Sequence, residues 1–230
     1  NFFLISGSLA VMSALILPMR IPFRQKQNAE HSSPLTELRE GFHYVWKNRP
    51  LAQLITLSLI PSLLFSPLQS LLPMITDKAL NETASVSGYL LGAMGAGSLS
   101  ISFIVATFGY PLKRGPTTLL AAFGGCLCIL LLAHSPWIAS SIAVMVLFGF
   151  MNSYFRTGSM TLSQALMHDN MRGRASSIFW LNLAVVPLGI FFISAVSAAT
   201  SVERALTILS PIGAGLAIIC FLSFRSLRRV

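Results

Sequence analysis

Long apolar runs separated by short polar or basic connections make up most of the 230-residue chain. Windows of about nineteen residues predict seven spans, approximately at 1–18, 51–76, 86–109, 116–134, 137–162, 175–199 and 205–224. As helices, these runs are long enough to cross a ~30 Å hydrocarbon layer. The pattern therefore predicts an all-α integral membrane protein. Between the first two runs the period changes. Ser33 offers a helix cap, Pro34 a first helical position and Glu37 an acid in the first turn. Leu35, Leu38, Phe42 and Val45 then recur at helical spacing, with Glu37, Arg39, Glu40 and Lys47 largely on the other face. This predicts an amphipathic helix, either lying on the membrane surface or packing on the ends of the bundle; the pattern admits both.

The second run contains SLIPSLLFSPLQSLLP at residues 58–73, with Pro61, Pro67 and Pro73 in one apolar stretch. In water, interior prolines break a helix and are excluded from a central strand. In a bilayer they are tolerated, because neighbouring helices and hydroxyl side chains re-satisfy the freed backbone groups. The stretch thus predicts a broken or kinked transmembrane helix whose serines serve the orphaned carbonyls.

Composition agrees: 54% of residues are hydrophobic and 10% charged, against about 25% charged in a soluble domain. The mean hydropathy is +0.72. The net charge of +9 has a topological source. Loop 19–50 carries Arg20, Arg24, Lys26, Arg39, Lys47 and Arg49, and alternate connections add Lys113, Arg114, Arg172 and Arg174. The tail adds Arg225, Arg228 and Arg229, whereas the intervening connections hold only Lys78 and Arg204. The positive-inside rule places the basic side, with loop 19–50 and the C-terminus, in the cytoplasm. No clustered basic face with base-reading partners occurs, so nucleic acid is not an expected partner. Cys126, Cys128 and Cys220 all lie in apolar runs, which points to packing rather than a metal site. Neither metal nor cofactor is expected. The chain opens inside an apolar run, without Met and without a cleavable signal pattern, which suggests a fragment whose beginning is missing.

Polar residues inside the runs are the candidate functional positions. Ser58, Ser62, Ser66 and Gln69 form one stripe at helical spacing, and Asn152, Arg156, Ser159 and Ser163 another. The serines suit either back-bonding to carbonyls beside the prolines or a polar cavity. Gln69 would be costly facing lipid, so it suits a cavity or a helix–helix contact. Arg156, counted from a start near Ile138, falls close to the cytoplasmic edge of its span. There it could snorkel, pair with Asp169, or touch substrate or a gate. Asn182 is a lone amide suited to a cavity or an interhelical bond. Asp169, Arg172 and Arg174 form a charge cluster on the cytoplasmic side, read as a gate network or as plain topology. Gly88, Gly92, Ala96 and Ser100 form a small-residue stripe expected to serve close helix packing, including a sliding surface. Trp46 and Trp137 suit interfacial anchoring. All seven acids fall in loops or at span ends, so proton coupling through an intramembrane carboxylate would need an acid outside this chain. No catalytic cluster is present, and an enzyme is not expected.

Particular stretches carry a family resemblance. LTELREGFHYVWKNRPL (35–51) resembles the central-loop signature of major facilitator superfamily transporters in the branch of the enterobactin exporter and related drug and macrolide efflux proteins. SLIPSLLFSPLQSLLPM (58–74) is similar to that branch's next span, DNMRGRASS (169–177) to its Arg-Gly-Arg loop, and VVPLG (185–189) to its Pro-x-Gly. The likeness covers essentially the whole chain. GYPLKRG (109–115) lacks the Asp of the family's loop motif, so a gating ion pair from that motif is not implied. The resemblance implies the C-terminal half of a twelve-span bundle. Residues 1–18 would be the last helix of the N-terminal half, 19–50 the cytoplasmic central loop and 51–230 the six-helix C-terminal domain. It further implies efflux of a small-molecule substrate by alternating access across a plasma or cell inner membrane, with the missing N-terminal six-helix half as partner. Ser62, Ser66, Gln69, Asn152, Arg156 and Asn182 would then lie at the substrate cavity. The competing expectation is a non-transporting scaffold, or a half-transporter that needs a partner, since a site between two halves cannot form from one.

Overall fold

The computed structural model describes residues 2–16, 34–79, 84–109, 114–135, 137–168 and 172–224. The chain divides into two units, Asn1–Ser33 and Pro34–Val230. In the first unit, helix α1 (Phe2–Ile16) has 15 residues, and Leu9, Val11, Met12 and Leu15 are exposed on it. In the second unit the order is α2 (Pro34–Lys47), α3 (Arg49–Ala79), α4 (Ala84–Phe108), α5 (Arg114–Ala133), α6 (Ile138–Leu166), α7 (Arg172–Leu181), a 3-10 turn at Asn182–Val185, α8 (Val186–Ala199) and α9 (Val202–Ser223). No strand occurs among the described residues. Among the described residues, six helices are long and apolar enough to cross a membrane: α3, α4, α5, α6, α9 and the continuous run from α7 through α8. The protein is an all-α, multi-pass membrane protein.

The proline-bearing stretch differs from its expectation. α3 runs unbroken through Pro61, Pro67 and Pro73. Each proline lacks the N–H that would bond four residues back, which leaves the carbonyls of Leu57, Leu63 and Gln69 without that donor. The serines do not serve them. Ser58 Oγ donates to Ile55 O at 2.7 Å and Ser62 Oγ to Ser58 O at 3.0 Å. What keeps α3 helical is its surroundings, since it packs against α4, α5, α6, α8 and α9 and buries Leu54, Leu57, Phe65, Leu68 and Leu72. The break comes instead in the run before Pro187. There the helix tightens into the 3-10 turn, and the Val186 N–H reaches Leu183 O.

The packing has an internal symmetry. α4 packs on α6 as α8 packs on α3; α5 packs on α6 as α9 packs on α3; α5 meets α9, and α3 meets α6. Exchanging α3 with α6, α4 with α8 and α5 with α9 maps these contacts onto one another, whereas the α3–α4, α3–α5 and α8–α9 contacts have no counterpart of similar extent. Two interlocked three-helix units result. Since successive spans alternate in direction, their first helices, α3 and α6, are antiparallel. Phe65 and Phe148 meet edge-to-face at the α3–α6 crossing, ring centres 5.3 Å apart, and both are fully buried.

Close approaches obey the same symmetry. A Cβ on Gly97 of α4 would overlap the backbone of Val146 and Phe150 in α6, and a Cβ on Gly189 of α8 would meet Leu63 O at 2.5 Å and Pro67 Cγ at 2.8 Å in α3. The numbering shift that carries Leu63 onto Val146 also carries Phe65 onto Phe148 and Pro67 onto Phe150. Gly149 completes the first contact, because its Cβ would overlap the backbone of Met94. The expectation that Gly88, Gly92, Ala96 and Ser100 make the close contact is therefore corrected. All four are exposed, and a Cβ at Gly88 or Gly92 meets nothing within 4 Å. The contact stripe sits one position along, on the face that carries Gly97. Cys126 and Cys128 are free and buried in the main core.

Candidate functional site

The shift that superposes the two Phe residues also carries Gln69 onto Asn152. Each amide lies one helical turn beyond its own Phe. Because α3 and α6 run in opposite directions, the two amides stand on opposite sides of the Phe65–Phe148 contact, about 6 Å along the axis from it at 1.5 Å per residue. Gln69 is exposed and Asn152 half-buried. Ser62 and Ser66 are half-buried, and Ser62 is back-bonded within α3. The first stripe turns from the core at Ser58 to the open side of α3 at Gln69.

The second stripe divides in the same way. Arg156 is exposed, whereas Ser159 and Ser163 are buried. Ser163 Oγ donates to Met160 O at 2.8 Å; the Ser159 hydroxyl has no partner among the described residues. α6 ends at Leu166, beyond the predicted end of its span at 162. Arg156 lies about 15 Å back from the helix end, and the start of α6 at Ile138 is the one from which its place near the cytoplasmic edge was counted. Asp169, its suggested partner, lies outside the described residues, as do the side chains of Arg172 and Arg174 at the start of α7.

Asn182 is placed by the 3-10 turn. Its amide donates to the Ser58 hydroxyl and to Ile55 O at 3.5 Å, an interhelical bond that ties the α7–α8 break to α3. In an apolar medium an unpaired amide is costly, and Ser58, at the buried end of its stripe, supplies the partner.

Beyond the Gly97–Gly149 contact, α4 and α6 diverge around a cavity of about 210 Å³ lined by Ile101, Ser102, Val105, Ser153, Tyr154 and Thr157 among others. That is below the ~300–1,000 Å³ of drug-sized sites. Gln69 and Arg156 are exposed and Asn152 half-buried in the six-helix unit, and none of the three lines this cavity.

At one end of the bundle a second constellation appears that the sequence pattern did not signal. The Tyr44 hydroxyl lies 3.1 Å from His168 Nδ1 and accepts the His168 backbone N–H at 3.1 Å. Asn48 Nδ2 donates to Leu166 O at 3.2 Å, one of the carbonyls that a helix end leaves without an intrahelical donor. Val45, Leu51, Met167 and Ile178 form a small separate core beneath. Thus α2 is pinned to the ends of α3, α6 and α7. Its amphipathic pattern announced a buried face, and only the fold shows what covers it.

Antiparallel first helices and interlocked triplets match the architecture of repeat-built membrane transporters. The Major Facilitator Superfamily family model matches residues 1–187, and the chain belongs to that family of transporters. No curated protein sequence matches it significantly.

Proposed function

We propose that this chain is the C-terminal half of a secondary transporter that exports small drug- or siderophore-like molecules by alternating access. The substrate would bind between the open face of α3 and α6 and a second six-helix half. The observation that carries this reading is the symmetric amide pair. Gln69 and Asn152 occupy equivalent positions on the two antiparallel first helices, either side of the Phe65–Phe148 contact. Repeat-built transporters place substrate near the midplane between such repeats. Two amides there offer both donors and acceptors without the cost of a buried charge. Arg156, on the same helix as Asn152, adds a cation for anionic or electron-rich groups. Ser62 and Ser66 are the remaining polar groups toward this side, and Asn182 sets the α7–α8 break against α3. Loop 19–50, α2 and the C-terminus lie in the cytoplasm of a plasma or cell inner membrane, with Asp169, Arg172 and Arg174 as a gate cluster there. The enterobactin-exporter and macrolide-efflux branch supplies the functional analogy, through its likeness in sequence pattern.

The exposed side of α4, with Gly88, Gly92, Tyr89, Leu99 and Phe103, suits the partner half, since small residues let backbones slide at close range. The acids whose side chains are described, Glu40, Asp77 and Glu203, lie on α2 or in the terminal turns of α3 and α9. If export is proton-driven, the coupling carboxylate belongs to the partner half.

The test is accumulation of erythromycin, and separately of a ferric catecholate siderophore, in cells that express the intact transporter. Gln69→Leu and Asn152→Leu should each raise accumulation of the exported compound at least several-fold, with unchanged protein level in the membrane. Wild-type export of either compound that survives both substitutions would remove the amide pair from the site. Failure to export either compound would remove the efflux assignment.

A further inference from the structure

On α2 the packed and unpacked faces carry different chemistry. Gly41 and Val45 are buried and Tyr44 and Asn48 half-buried against the bundle. Arg39, Glu40, Phe42, His43, Trp46 and Lys47 are exposed, and at 3.6 residues per turn they form the opposite face, with Glu40 at its margin beside Lys47. Phe42 and Trp46 are the unusual members: their accessibilities are 55% and 71%, and their rings stack with centres 5.7 Å apart at 19°. The depth of this face is set by the fold. Only Asn48 separates α2 from Arg49, where the spanning helix α3 begins, and Tyr44 and Asn48 hold α2 to the last residues of α6. An aromatic face held where spans begin lies at headgroup level, which is where Trp is enriched in membrane proteins. Arg39 and Lys47 flank the stacked pair on the same exposed arc, and Arg49 follows at once, exposed as well.

We propose that this face of α2 binds the anionic phospholipids of the membrane surface, with Phe42 and Trp46 inserted among the upper acyl segments and Arg39 and Lys47 on the phosphate-bearing headgroups. Charge complementarity selects this occupant. Arg39, Lys47 and Arg49 outnumber Glu40 on this side of the helix, and a basic excess beside exposed aromatics on an amphipathic helix matches an anionic interface. Because α2 is clamped to α6 through Tyr44, His168 and Asn48, bound lipid would brace the end of the helix that carries Asn152 and Arg156. The proposal rests on the multi-pass architecture and is independent of the substrate and of the direction of transport.

The experiment replaces Trp46 with p-benzoylphenylalanine in the full chain. The protein is reconstituted in nanodiscs of phosphatidylcholine with a minor share of phosphatidylglycerol, irradiated, and its adducts are identified by mass spectrometry. Phosphatidylglycerol adducts should exceed that lipid's mole fraction by about threefold or more, and Arg39→Gln with Lys47→Gln should return the ratio to the mole fraction. Adducts in plain proportion to lipid composition would overturn the selectivity for anionic lipid. Adducts to another protein segment, or none at all, would overturn the lipid surface itself.

Discussion

Where α4 meets α6, glycine stands on both sides of the contact; where α8 meets α3, it stands on one. Gly97 and Gly149 press backbone against backbone, each occupying space that the partner helix would deny to a Cβ. Their counterpart, Gly189, lies against Leu63 O and the ring of Pro67. Leu63 O is the carbonyl that Pro67 leaves without an N–H, and only a residue lacking a Cβ can lie so close to it. The second contact is looser only in distance, because its nearest backbone atom, Leu63 O, stands farther from the Cβ position than the backbone atoms that meet Gly97 and Gly149. Its helix is also interrupted at Asn182–Val185, just before Pro187. Symmetry of position therefore does not bring equal stiffness. The α4–α6 pair is the rigid member of the scheme, and the α7–α8 run is the one able to bend against α3.

The largest effect expected from this difference is at the double-glycine contact. Gly97→Ala and Gly149→Ala should each cost about 1–3 kcal/mol through overpacking, read as a lowered melting temperature of the purified protein in detergent. Gly189→Ala should cost roughly half as much, because its nearest backbone neighbour, Leu63 O, stands farther off. A penalty equal to that of Gly97→Ala would mean that the two contacts are equally stiff, and the comparison would fail. Gly92→Ala should have the smallest effect and the opposite sign, a gain of about 0.5–1 kcal/mol from helix propensity, since nothing lies within 4 Å of its position. A measurable loss at Gly92 in the intact protein would show that another element closes on this stripe.

Much of the architecture was legible as hydropathy. The six spanning helices fall where the apolar runs fall, and the periodicity of residues 35–47 alone announced that α2 is amphipathic. Less of the candidate site was legible. The stripes containing Gln69 and Asn152 could be seen, but their equivalence could not, because it depends on which residues of α3 and α6 cross at Phe65 and Phe148. Asn182 read equally well as a cavity residue or a tie to a neighbour until Ser58 appeared beside it. The Tyr44–His168 and Asn48–Leu166 bonds join residues far apart in the chain and have no local signal.

Hydropathy and length alone settle the class of structure, the approximate limits of the six spanning helices of the second unit, and the asymmetry of basic charge between the two sets of connections. Transfer of apolar segments out of water depends on composition and length and on nothing else in the fold. The rotation of each helix about its axis is a tertiary matter, and with it the choice of Gly97 over Gly88, Gly92 and Ala96 as the contact residue. Lipid tails are as apolar as leucine, so a spanning helix has no hydrophobic contrast between its inner and outer faces. Its sequence period therefore carries little information about phase. Only packing against α3 and α6 sets that phase, and the positions of the two amides follow from it.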